Sequence, residues 1–189
     1  MFAEFGFKDA TIRKISKRAQ VNIASIKYHF GGKEELYTRV FQHCHECGLM
    51  DYSSPIGVSE NEPLEKQLHG FVRALLLPVF DRGKFAWFGR LMVRELIDPT
   101  KTFENLLKKN VLRLNELLHS IVRKIIGDRA SEEEVQLISA SIIGQCLFYV
   151  NARYLMTPIY KLDISDPDAI ERLADHITQF SMRSLRTTG

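Results

Sequence analysis

Three cysteines in 189 residues is an odd count, and their spacing is not that of a disulfide framework, so the expected compartment is a reducing cytoplasm. No uncharged apolar run approaches the eighteen residues of a membrane span. The longest, such as Ala74 to Phe80, are short and contain Pro78, so no membrane partner is expected. The opening residues Met1 to Gly6 lack a basic head followed by an apolar block, so no secretory signal is expected. Sustained apolar–polar alternation is missing, which argues against strands, and there are no internal repeats or low-complexity tracts. A nucleophile elbow, a phosphate-cradling glycine loop and a His-Glu-x-x-His pair are also missing. Gly31-Gly32-Lys33 is too short for a phosphate loop. Catalysis is therefore the least supported class, and no cofactor is expected.

What is there is ordinary globular material. Hydrophobic residues make up 45% of the chain and charged ones 26%, which excludes wholesale disorder, and the length suffices to bury a core. The net charge of +3 conceals an uneven distribution. Residues 1–43 hold eight basic residues against four acidic ones, whereas the rest of the chain holds 18 against 19. Between Lys8 and Lys33 seven basic residues meet one acidic residue, Asp9. A basic head on a near-neutral body suits a polyanion partner for the head, the plainer alternative being a solvated helical face.

Helical periodicity runs through the chain. A short helix ends at Gly6. Thr11 is placed to cap a second, with Ile12, Ile15 and Ala19 facing a core, and Gln20-Val21 makes a tight turn. Asn22 caps a third from Ile23 to about Phe30, whose Ile26 and Phe30 lie one turn apart. Gly31-Gly32 breaks it, and Lys33 opens a longer helix to about Leu49. Residues 51–61 read as a polar loop. Helices are expected at about 62–80, 84–97, 100–126, 131–155 and 166–186. Pro99 and Gly127 punctuate them. Ser131 to Glu134 forms a capping box, and Asp166-Pro167 an N-cap with proline at the first helical position.

Two short helices joined by a tight turn have the form of a helix-turn-helix, in which the first braces the second so that its N-terminal half enters a major groove. With Ile26 and Phe30 inward, Ala24, Ser25, Lys27, Tyr28 and His29 are left outside. Ala24 allows close approach and can touch a thymine methyl. Ser25 can hydrogen-bond a base edge, and Lys27 can reach guanine acceptors or a phosphate. Tyr28 and His29 lie where phosphates would run.

The spacing of Phe5-Gly6-Phe7, Thr11, Ile15, Ala19, Val21, Ile26, Tyr28-His29-Phe30 and Lys33-Glu34-Glu35-Leu36 resembles, without a gap, the DNA-binding domain of the TetR family of bacterial transcriptional regulators. The resemblance implies an all-α homodimeric repressor whose C-terminal bundle binds a small molecule. It assigns base reading to Ala24, Ser25 and Lys27, and phosphate contacts to Tyr28, His29 and Lys33, with Thr11 and Arg13 touching backbone or an adjacent base. Ala24 stands where the family usually has glycine. The family's first helix also begins about three turns earlier than the stub from Met1 to Phe5.

Further on, the segments Gly89–Thr100 and Gly144–Arg153 resemble the C-terminal domain of the CecR-like subgroup, which implies a drug- or metabolite-responsive repressor. From the residues alone, Trp87, Phe88, Met92, Phe148, Tyr149 and Tyr154 are expected to supply a soft aromatic interior. Glu95 and Gln145, with Arg90, Arg94 and Arg153, add polar groups, the mixture a ligand pocket needs. The plainer alternative is a solid core with rim ion pairs such as Arg94 or Arg90 with Glu95. The last two helices are amphipathic and would build a four-helix interface with a second copy.

Within His43-Cys44-His45-Glu46-Cys47, the two cysteines share a helix face and would both reach one soft metal ion, but the histidines point away by about 100° on either side. The plainer reading makes both cysteines small core residues. The sequence thus predicts a helix-turn-helix domain over 1–45 and a ligand-binding and dimerisation bundle over 46–189. The expected partners are double-stranded operator DNA, a small-molecule effector and a second copy of the chain. The alternative is a metal or thiol-redox sensor using Cys44 and Cys47.

Overall fold

The computed structural model describes residues 1–46, 59, 61–80, 86–164 and 168–187. The regular elements among them are all helical. They are α1 (Phe2–Asp9), α2 (Ile12–Ala19), α3 (Ile23–Phe30), α4 (Lys33–Glu46), α5 (Leu64–Phe80), α6 (Ala86–Ile97), α7 (Lys101–Ile126), a 3-10 turn (Gly127–Arg129), α8 (Glu132–Asn151), α9 (Arg153–Met156) and α10 (Ala169–Thr187). The chain forms two compact units: Met1–Asp51 with Asp81–Asn110, and Tyr52–Phe80 with Val111–Gly189. This division does not follow a single cut near residue 45, because α6 packs on α1 within the first unit.

Local chemistry accounts for the short elements of the first unit. Gly6 breaks α1 with φ 76° and ψ 176°, a conformation closed to residues with a Cβ. The Thr11 side chain accepts from Lys14 N at 3.2 Å. At the other end of α2, Gln20 is left-handed (φ 56°). Gln20 N donates to Lys17 O and Val21 N to Ser16 O, a Schellman closure that turns the chain into α3. Asn22 Oδ1 accepts from Ala24 N at 2.8 Å. Gly31, at φ 79°, ends α3 by donating to Lys27 O.

The inward face of α2 differs from expectation. Ser16 holds the buried position, its hydroxyl donating to Arg13 O at 3.0 Å, while Ile12 and Ile15 are half-buried and Ala19 is exposed. A short side chain that closes its own hydrogen bond can sit deeper than a larger apolar one. The core is aromatic: Phe2, Tyr37, Phe41, Phe88, Leu91 and Phe103 are buried together with Ala10 and Cys44. Tyr37 lies at its centre, with ring centroids of Phe2 at 4.6 Å, Phe7 at 4.9 Å and Phe41 at 5.1 Å.

In the second unit α5 packs on α10 and α8 through Leu68, Phe71, Val72 and Leu76. Ion pairs edge the α5–α10 seam: Arg73 with Glu171, and Arg186 with Glu65 at 3.2 Å. The capping box of α8 is complete. Glu134 N donates to Ser131 Oγ at 3.2 Å, and Ser131 N donates back to Glu134 Oε2 at 2.7 Å. The single helix expected over 131–155 is interrupted at Ala152, which leaves helical ψ (15°), and α9 is a separate short turn before Pro158. Asp166-Pro167 and Cys47, with the 51–61 loop apart from Ser59 and Asn61, lie outside the described residues.

Candidate nucleic-acid interface

The basic head presents its second and third helices outward. Ile26 is buried and Phe30 half-buried, which turns Ala24, Ser25, Lys27, Tyr28 and His29 to solvent. Tyr28 is 86% exposed, with the His29 ring edge-on to it at 5.1 Å. Thr11 and Arg13 are exposed at the start of α2. Among the described residues no carboxylate pairs with Arg13, Lys17 or Lys27, whereas Arg18 is paired with Glu4 and Lys8 with Asp98 at 2.6 Å. Arg18 holds the Glu4 carboxyl below its ordinary range, and Asp98 raises the Lys8 ammonium. Arg13 and Lys17 on α2 and Lys27 on α3 therefore leave uncompensated positive charge on the helix pair, as a polyanion site requires.

Lys33 is held more firmly than its neighbours. It is half-buried at the first position of α4, its Nζ donates to Lys8 O at 3.2 Å, and it lies 4.4 Å from the Phe7 ring centroid. Glu34 and Glu35 also occupy the first turn of α4.

Val21 enters the sequence reading only as a turn and spacing residue and Ile23 only as the start of the third helix, yet both are large, apolar and exposed near Ala24. Ile23 lies three residues before Ile26, a spacing that assigns it inward, but at the first position after the Asn22 cap it faces out. Lys17, exposed on α2, was visible only as part of the charge count.

The residues expected to line a ligand pocket fall into two groups. Trp87, Phe88, Met92 and Glu95 belong to the first unit. Phe88 is core there, and Trp87 and Met92 pack against the cluster around Tyr37. An open, mainly apolar groove of about 490 Å³ runs past Trp87, Leu91 and Phe2, edged by Arg39 and His43. Glu95 is only 2% exposed. Among the described residues it makes no rim ion pair: Oε1 accepts from the Tyr37 hydroxyl, and Oε2 accepts from Thr100 N at 2.8 Å and Thr100 Oγ1 at 3.0 Å. Burial and this bond push the Tyr37 hydroxyl far above its ordinary pKa. Arg94 donates instead to Glu4 O at 2.7 Å.

Gln145, Phe148 and Tyr149 belong to the second unit. Gln145 and Tyr149 are half-buried, and burial followed by the nearby Tyr160 raises the Tyr149 hydroxyl. Phe148 and Tyr154, expected inside, are exposed in the single chain. Phe148 lies on an outward stripe of α8 with Leu137, Ser141 and Gly144.

A braced, outward-facing helix on a three-helix basic head defines a helix-turn-helix DNA-binding protein. Residues 1–40 match the family described as bacterial regulatory proteins, tetR family, and residues 64–185 match the C-terminal domain of the HTH-type transcriptional dual regulator CecR. The CecR protein of Shigella flexneri is 26% identical over 161 residues, spanning 78% of this chain and 70% of that protein. Two crystal structures of HlyIIR mutants, in which a segment is replaced by a linker, have the same fold, with TM-scores of 0.57 and 0.55 at 19% identity. They cover 94% of this chain and 90% and 89% of theirs. The chain belongs to the TetR family of transcriptional regulators and carries a C-terminal domain of the CecR type. Among the described residues no helix is long and apolar enough to cross a membrane.

Proposed function

We propose that this regulator is a homodimeric repressor that holds a palindromic operator and releases it when a small molecule occupies the C-terminal domain. The carrying observation is the exposed set of Arg13 and Lys17 on α2 and Lys27 on α3, none of them paired with a carboxylate among the described residues. Ala24 and Ser25 enter the major groove, where the Ala24 methyl meets a thymine methyl and Ser25 bonds a base edge, and Ile23 adds apolar contact. Lys27 takes guanine acceptors. Tyr28, His29 and Lys33 hold phosphates, and Thr11 and Arg13 fix the adjacent backbone.

The dimer forms through α8 and α10. Leu137 (60% exposed), Phe148 (44%) and Phe180 (58%) are large apolar side chains uncovered in one chain, although α8 already buries Val135, Ile142, Cys146 and Val150 on its other side. A helix apolar on both faces calls for a second partner. Gln145 and Tyr149 in the second unit and, as a separate candidate, Trp87 and Met92 in the first are the residues to test for effector contact. The effector acts by preferring a geometry in which the two heads are mis-spaced, and shifts the equilibrium only by its differential affinity.

Selection of duplexes from a random-sequence library tests this reading. The expected product is a palindrome with half-sites about 34–36 Å apart, one helical turn. A single unpaired site, or no enrichment, contradicts it. The thiol or metal alternative is not favoured, because Cys44 is buried in the aromatic core.

A further inference from the structure

Glu95 gathers three donors at one buried carboxylate, and those donors belong to separate pieces of the first unit: Tyr37 of α4, and the backbone and hydroxyl of Thr100. Thr100 Oγ1 in turn accepts from Phe103 N at 3.2 Å, which caps α7. From Tyr37 the contacts continue outward. Its ring lies 4.9 Å from Phe7, and Phe7 carries the Lys33 ammonium at 4.4 Å. The Lys8 carbonyl accepts a hydrogen bond from Lys33 Nζ at 3.2 Å, and the Lys8 side chain is tied to Asp98, three residues beyond Glu95. The corner between α6 and α7 thus reaches the head's lysine by two routes, one buried and one exposed.

We propose that Glu95 is a positioning residue for DNA binding: through Tyr37 and Phe7 it fixes where Lys33 presents its ammonium, so that the α6–α7 corner sets the head's grip on a phosphate. This rests on the reading of Lys33 as a phosphate contact. Glutamine at position 95 keeps an acceptor for Thr100 but turns an NH2 toward the Tyr37 hydroxyl, which loses its charge-assisted bond and the acceptor for its own hydrogen, so the buried arm of the clasp is weakened. Tyr37→Phe removes only the buried arm and keeps the ring packing.

The test is a double-mutant cycle on duplex affinity, using the labelled duplex that the protein itself enriches from a random-sequence library. Lys33→Ala is expected to weaken binding about tenfold and to lower the salt slope by about one. Glu95→Gln and Tyr37→Phe are each expected to cost about fivefold with Lys33 present and under about twofold in the Lys33→Ala background. General loosening of the head gives equal losses in both backgrounds, and that result overturns the inference. So does a Tyr37→Phe protein of unchanged affinity. If Glu95→Gln does not fold, the Tyr37→Phe cycle alone decides. An unchanged salt slope for Lys33→Ala removes the phosphate role of Lys33, and this inference with it.

Discussion

The Tyr37 hydroxyl donates to Glu95 Oε1 across 58 residues of sequence, in the middle of the aromatic core of the first unit. A buried carboxylate is costly unless its lone pairs are satisfied, and three donors satisfy this one. Glu95→Gln is expected to lower unfolding stability by about 1–3 kcal/mol, the cost of leaving a buried polar group mispaired. Urea denaturation measures it, and Tyr37→Phe is expected to cost less.

Gly6 is required by its backbone. At φ 76° and ψ 176° a Cβ is strained whatever the space, and it would lie 3.3 Å from Arg94 Nη1. Gly6→Ala is expected to cost about 1–3 kcal/mol of stability. The same substitution should loosen the Arg94 hold on the Glu4 carbonyl, read as faster amide exchange in α1.

The capping box of α8 predicts an acid-sensitive step. Hydrogen bonds from Ser131 hold the Glu134 carboxyl below its ordinary 4.5. A lowered folded-state pKa gives stability that is present above the unfolded value and is lost as pH falls through the folded one. Stability measured from pH 6 down to pH 3 should therefore fall less steeply below about 4.5 in Glu134→Gln than in the unsubstituted protein. Ser131→Ala should cost about 1 kcal/mol at pH 7.

Leu137, Phe148 and Phe180 are exposed in one chain, so charging them should spare its fold. Phe148→Asp is expected to turn a dimer into a folded monomer in sedimentation velocity. A monomer without the substitution, or an unaltered dimer with it, removes the α8–α10 interface.

The caps were legible in the sequence because each acts within three residues: Thr11 on Lys14, Asn22 on Ala24, Ser131 on Glu134. The outward set on α3 was legible for a similar reason, since Ile26 and Phe30, one turn apart, fix the helix rotation. Glu95 was not. Its partner Tyr37 is distant in sequence, and a glutamate beside Arg94 reads as a surface pair until packing brings the hydroxyl to it. Phe148 was misplaced for another reason. On a helix with apolar residues on both sides, periodicity does not say which face the same chain covers.

The most direct measurement is the salt dependence of affinity for the selected duplex. A head that neutralises phosphates with Arg13, Lys17, Lys27 and Lys33 should show log K falling linearly with log salt, with a slope of about −0.9 per phosphate contact. Affinity that stays level from 50 to 200 mM salt, on the order of the range where phosphate-bound proteins lose most of theirs, contradicts it.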